Sequence, residues 1–163
     1  MDLNALDMDI RRAVGVTDMA TARQLFSAYL RELGVDLSFQ GVEAELADLP
    51  GPYREPSGVI LLAESDGLPV GVVALKPLSE LGHGMCEMKR LYVRPSARGT
   101  GVAEALCRSL EAEASMRGYR MMKLDTLARL KAANALYDRM GFSPCAAYND
   151  NPLDDIRYFE KPL

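Results

Sequence analysis

At 163 residues the chain has the length of one compact domain and can bury a core without disulfides. Its 48% hydrophobic and 26% charged residues are an ordinary globular balance. A formal charge of −4 argues against nucleic acid or an anionic membrane as the main partner, because both demand a basic face.

The opening MDLNALDMDIRRAV is acidic at once and lacks a basic stretch followed by an apolar core, so it does not read as a secretory leader. No apolar run reaches membrane-spanning length, and a cytoplasmic protein without a membrane partner is expected. Residues 9–16 predict a short strand, after which Thr17 offers a helix cap. Met19, Ala22, Phe26, Tyr29, Leu30 and Leu33 then recur at helical spacing until Gly34 stops the helix. A second helix is predicted over 39–48, and 50–58 is a loop dense in Pro and Gly. The apolar runs 59–65 and 70–75, separated by Asp66-Gly67-Leu68-Pro69, predict a β-hairpin.

A strand over 85–93 ends at Arg94-Pro95, and a helix from about 101 to 117 follows a glycine loop. Its apolar face is Val102, Ala103, Leu106, Leu110 and Ala114, with Glu104, Arg108 and Glu111 as solvated pairs opposite. Then come a strand at 120–126, a helix at about 128–140 closed by Gly141, and short strands near 144–148 and 156–161. The β-α-β unit makes 85–93 and 120–126 a parallel pair, and the meander before it implies antiparallel neighbours. The expected class is therefore α/β (α+β): one domain over 1–163, with a mixed, mostly antiparallel sheet and helices on both faces. Cys86, Cys107 and Cys145 form no disulfide or metal pattern, and with His83 the single histidine no metal site is expected.

Chemistry concentrates in Tyr92-Val93-Arg94-Pro95-Ser96-Ala97-Arg98-Gly99-Thr100-Gly101-Val102-Ala103, which joins a strand to a helix. Two glycines allow a tight turn, and a helix N-terminus presents free N–H groups and a partial positive charge. Together these can hold phosphate, with Arg98 as an added charge. A plain strand-to-helix turn without a ligand fits the loop alone equally well. No lysine follows Gly99 or Gly101, which excludes a nucleotide-binding P-loop. A dinucleotide fingerprint places a small residue where Glu104 stands, which disfavours a nucleotide-dependent oxidoreductase despite Asp125 on the next strand.

Arg98-x-x-Gly101-x-Ala103 resembles the Q/R-x-x-G-x-G/A motif of the GNAT superfamily of acyl-CoA-dependent N-acetyltransferases. Glu87-Met-Lys-Arg-Leu91-Tyr-Val93 resembles that family's central strand, and Leu124-Asp-Thr126 the strand after it. Ala133-Asn-Ala-Leu-Tyr137-Asp-Arg-Met-Gly141-Phe142 resembles its late helix and closing Gly-Phe. The resemblance covers 85–142 by motif, and earlier residues only by element order.

The resemblance implies a central parallel pair that splays beside the loop, with the pantetheine arm of acetyl-CoA in the gap. It implies pantetheine contacts from the Leu91-Tyr92-Val93 strand, chiefly the backbone of Leu91 and Val93. Pyrophosphate contacts would come from Arg98, Gly99, Thr100, Gly101, Val102 and Ala103. It makes Glu87 a general base working through water, Tyr137 the donor to the coenzyme sulfur, and the Val93 N–H the donor to the thioester oxygen. A surface carboxylate paired with Lys89 or Arg90 is the bland alternative for Glu87, and core packing the alternative for Tyr137. The family often has asparagine seven residues before the tyrosine; here that position is Leu130, and Asn134 is not carried into the role.

His83 reads as a loop residue, Cys86 and Cys107 as buried small hydrophobes, and Cys145 as partly exposed with nothing to activate it. Asp150, Asp154 and Asp155 lie in an acidic loop that would favour a cationic amine or simply be solvated. The expected activity is acetyl transfer from acetyl-CoA to a small-molecule or peptide amine in a ternary complex, with no metal and no nucleic acid. The alternative is an acyl-CoA-binding sensor or structural module without catalysis. Monomer and homodimer both stay open.

Overall fold

The structure is a computed structural model, described over residues 8–36, 38 and 41–163. β1 (Met8–Arg12) is an edge strand, shorter than the 9–16 expected, because the chain turns into α1 (Gly15–Leu33) just after Ala13. Thr17 lies inside that helix and does not cap it. The Val14 N–H instead donates to Asp18 Oδ2 at 2.8 Å, and Arg11 of β1 grips the same carboxylate at 2.7 and 2.9 Å.

Those bonds, led by Arg11, hold the Asp18 carboxyl down at about 2, against an ordinary value of 3.8. The unfolded chain lacks them, so Asp18 adds stability above roughly pH 4 that is lost as pH falls toward about 2. Urea midpoints measured from about pH 5 to pH 2 should therefore drop more steeply in the wild type than in Asp18→Asn, with the two converging at the acid end.

α2 (Val42–Ala47) is shorter than the predicted 39–48, whose first two positions lie outside the described residues. β2 (Val59–Ser65) and β3 (Leu68–Pro77) form the expected hairpin. Asp66 and Gly67, with φ 53 and 76, make a two-residue turn whose left-handed residues match strand twist, so Leu68 and Pro69 join β3. β4 (Met85–Val93), α3 (Val102–Met116) and β5 (Met121–Leu127) follow as the β-α-β unit. α4 (Lys131–Arg139) starts later than expected, because the Ala128 N–H is drawn to Asp155 O at 2.7 Å and a turn intervenes. β6 is only Ser143–Pro144, and β7 (Ile156–Pro162) closes the sheet.

Among the described residues seven strands run in the order β1-β2-β3-β4-β5-β7-β6, and only β4 and β5 pair in parallel. Both faces are covered, which is why β2 reads as a continuous apolar run. Val59, Leu61 and Ala63 point to the side of α3 and α4, where Leu106, Leu110, Leu136 and Tyr137 pack. Ile60 and Leu62 point to the side of α1, against Ala22, Leu25 and Phe26. On α3, Glu104 and Arg108 pair at the surface at 3.4 Å, but Glu111 is drawn to Lys161 at 2.6 Å rather than to Arg108. Among the described residues no helix is long and apolar enough to cross a membrane.

Candidate active site

β4 and β5 pair only through Met85↔Met121, Cys86↔Met122 and Glu87↔Lys123, and then diverge. A bulge in β4 accounts for the divergence. Ala74 pairs with Lys89 and Val72 with Tyr92, so Arg90 and Leu91 share the single position opposite Val73. Arg90 adopts φ 62, a left-handed conformation that costs a non-glycine residue about 1–2 kcal/mol. Glu45 of α2 offsets this by holding the Arg90 guanidinium through two bonds of 3.1 Å. The extra residue bends β4 away from β5 and opens a gap lined by 88–91, by 124–127, and by Ala133 and Tyr137 of α4.

The Arg94 N–H donates to Val70 O at 2.8 Å, so β4 turns that edge toward β3. Strand alternation then aims the Tyr92 backbone at β3 as well, and the backbone groups of Leu91 and Val93 into the gap. Val93 O accepts Arg98 Nε at 3.1 Å, which leaves the Val93 N–H as its free group. The Tyr92 ring lies in the core against Tyr29 of α1, with centroids 6.2 Å apart.

Beyond Val93 the chain turns through the glycine loop into α3, which begins without a side-chain cap. Its first helical bond runs from the Ala105 N–H to Gly101 O at 3.0 Å, so the N–H groups of Val102, Ala103 and Glu104 have no acceptor within the helix. Gly99 and Gly101 take φ 77 and 87, and a Cβ added at either would meet nothing within 4 Å. Thr100 Oγ1 bonds Ala97 O and fixes the turn. The result is an open turn of free backbone N–H groups, whose polarity suits a phosphate. Arg98 is not free beside it: Glu32 of α1 binds its guanidinium at 2.7 Å through both carboxylate oxygens.

Tyr137 faces the gap from α4 while its ring packs on Phe142 and Phe159, at centroid distances of 5.8 and 6.3 Å. Its hydroxyl makes no hydrogen bond among the described residues. Burial raises its pKa well above the ordinary tyrosine value, so the hydroxyl stays protonated. Leu130 lines the same gap in the place of the family's asparagine. Asn134 spends its amide on Leu127 O at 2.9 Å and Leu130 O at 2.7 Å, tying α4 to the end of β5.

A second cavity, of about 220 Å³, shares Lys89 and Arg90 with the gap and has Glu87 in its wall. Glu87 is only 2% exposed, unlike a surface strand carboxylate. Lys89 is drawn to Asp125 at 3.9 Å and Arg90 to Glu45. Tyr148 donates its hydroxyl to Glu87 Oε2 at 2.5 Å, and Lys76 Nζ stands 3.9 Å from Oε1. Burial raises the Glu87 pKa above the ordinary carboxylate value, against the opposing pull of Lys89, Tyr148 and Lys76. A raised carboxylate suits proton abstraction near neutral pH.

Residues 21–142 match the model of the acetyltransferase (GNAT) family. This chain belongs to the GNAT family. It is 39% identical over 142 residues to an uncharacterized N-acetyltransferase of Schizosaccharomyces pombe, covering 86% of each chain. A Klebsiella pneumoniae protein provisionally named an acyl-CoA N-acyltransferase superposes with TM-score 0.71 at 30% identity, over 96% of this chain and 97% of that one. A Salmonella typhimurium protein provisionally named an acetyltransferase, solved with its cofactor acetyl-CoA, superposes with TM-score 0.68. It covers 96% of this chain and 94% of that one, and at 20% identity it shows likeness of fold.

Within this GNAT chain the sequence-derived residues fall into two groups. Leu91 and Tyr137 line the gap, Val93 and the 98–103 loop follow Leu91 along the chain into the start of α3, and Glu87 belongs to the neighbouring cavity. His83 is exposed in the turn before β4 and lines neither space. Burial pushes the Cys86 and Cys107 thiols up to about 12, so neither is poised as a nucleophile. Asp150 lines the second cavity, while Asp155 is held by Arg129 at 2.9 and 3.0 Å. Sequence reasoning missed Tyr148 and Glu45. Their partners lie 61 and 45 residues away, and no local spacing reports such contacts.

Proposed function

We propose that this GNAT acetyltransferase moves the acetyl group of acetyl-CoA to a primary amine by direct attack with both substrates bound. The observation that carries the reading is the pair of neighbouring spaces along one strand. Between the diverging β4 and β5 lies a gap, β4 runs on into the uncapped start of α3, and next to the gap, sharing Lys89 and Arg90 with it, lies a cavity with a buried carboxylate. The single sheet supports treating the whole chain, 1–163, as one N-acetyltransferase domain. The Salmonella protein's bound acetyl-CoA supports the choice of co-substrate.

The residues present fit that group. The N–H groups from Gly99 to Ala103 would hold the pyrophosphate, and the backbone of Leu91 and Val93 the pantetheine amides. Bound acetyl-CoA supplies an acyl thioester open to attack by an amine. The Val93 N–H would donate to negative charge growing on the carbonyl oxygen. Glu87 would take the amine proton, directly or through water, and Tyr137 would donate to the departing sulfur. A cavity of about 220 Å³ has the volume of roughly seven waters, which admits a small amine or the tip of a peptide.

Acetyl-CoA and the purified chain, assayed for free thiol across a panel of primary amines, test this reading. Amine-dependent thiol release is expected; binding without release would make the chain a non-catalytic acyl-CoA module. Glu87→Gln should lower kcat/KM at neutral pH by about 10²-fold. The deficit should narrow as pH rises, because more of the amine is then already neutral. A uniform deficit at every pH would remove Glu87 from the role of base.

A further inference from the structure

Glu87 stands among more charge than its strand neighbours provide. Lys76 approaches from β3, and Lys89 and Arg90 lie on β4 itself. Across the β4–β5 pair, Lys123 is committed to Glu160 at 3.1 Å, and Asp125 stands beyond it. Glu45 of α2 and the buried Tyr53 line the far wall, with Glu80 and Asp150 on the flanking loops. Of these groups, Tyr148 makes the short hydrogen bond to the carboxylate, at 2.5 Å to Oε2.

The loop that delivers Tyr148 is tethered for this purpose. After Cys145 the chain leaves the ladder of β7, its last bond there being Cys145 N–H to Tyr158 O at 3.0 Å. The Tyr148 ring packs edge-on against Tyr158, with centroids 5.3 Å apart and planes at 72°. Asn149, next along, donates to Asp125 Oδ2 at 2.9 Å and accepts the Tyr158 hydroxyl at 2.8 Å. The phenol is thus pinned at its ring and at its neighbouring residue, with only its hydroxyl reaching β4.

We propose that Tyr148 is a positioning residue for the base: it fixes Glu87 Oε2 by a charge-assisted hydrogen bond and leaves Oε1 to take the acceptor's proton. This rests on the reading of Glu87 as base. Two consequences follow from the geometry. The bond anchors the carboxylate at Oε2, and Oε1 is left 3.9 Å from Lys76 Nζ in the wall of the second cavity. The bond also favours the ionised carboxylate, because a donated hydrogen bond stabilises the charged form. That works against burial, which raises the Glu87 pKa. Burial also raises the Tyr148 phenol, so the shared proton stays on the tyrosine when Glu87 is ionised.

The test is a carbon-13 NMR titration of the glutamate carboxyls in the full chain without ligand, with the Glu87 signal assigned by its loss in Glu87→Gln. Tyr148→Phe keeps the ring packed on Tyr158 and removes only the donor. The Glu87 midpoint is expected to rise by roughly one pH unit or more. A midpoint within a few tenths of the wild type would overturn the proposal. Should Tyr148→Phe fold poorly, wild-type sequence grown with 3-fluorotyrosine supplies a stronger donor, and the midpoint should instead fall. The base reading fails separately: it is sunk if Glu87→Gln turns over as fast as the wild type, whatever the titration shows.

Discussion

Gly101→Glu is expected to abolish acetyl-CoA binding. Gly101 sits at the start of α3 with φ 87, and the direction a Cβ would take is empty for 4 Å. On the proposed reading that emptiness is the space the pyrophosphate would take. A glutamate there would fill it and place a carboxylate against two phosphates, at a separation where like charges repel strongly even in a wet site. The same side chain would take up the partial positive charge of the helix terminus, which otherwise serves the ligand. The left-handed backbone adds about 1–2 kcal/mol of strain for any non-glycine residue, so the substitution also weakens the fold. Gly101→Gln separates these effects, since it carries the same strain and nearly the same bulk without the charge. Calorimetry should give the affinity order wild type, then Gln, then Glu. High salt should recover part of the Glu deficit, because screening acts on charge and not on bulk. Unchanged affinity in a folded Gly101→Glu protein would place the pyrophosphate elsewhere.

The β2–β3 hairpin, the β4-loop-α3-β5 unit and the closing Gly141-Phe142 were legible because each is written in local pattern. Alternation, an Asp-Gly turn and a glycine before an amphipathic run all act within a few residues. Errors arose where a distant partner decided the outcome. Thr17 looked like the α1 cap, but Arg11 on β1 recruits Asp18, and the cap is set by that pair. The strand expected near 144–148 is only Ser143–Pro144, and Tyr148 lies in the loop beyond it with its hydroxyl on Glu87, a contact no local pattern reports. The Glu32 partner of Arg98, an expected added charge at the phosphate site, also lies far off in the chain, on α1. The Arg90 bulge, which opens the gap, has no glycine to announce it; the bidentate grip of Glu45 holds that backbone instead.

Tyr137→Phe should lower turnover by ~10²–10⁴-fold while leaving the fold and acetyl-CoA affinity nearly unchanged. The expectation follows from what the hydroxyl does and does not touch. The ring is 6% exposed and packs on Phe142 and Phe159, and phenylalanine preserves those contacts. The hydroxyl has no hydrogen-bond partner among the described residues, so removing it breaks no bond that holds the protein together. Denaturant midpoints should therefore match the wild type, since no protein hydrogen bond is lost. On the proposed reading the hydroxyl would be the protonated donor facing the gap, and its value would grow with negative charge on sulfur. An interaction made chiefly in the transition state is lost from kcat and kcat/KM together, with little change in KM. A variant as stable as the wild type and equally active would leave Tyr137 as a packing residue and solvent as the acid.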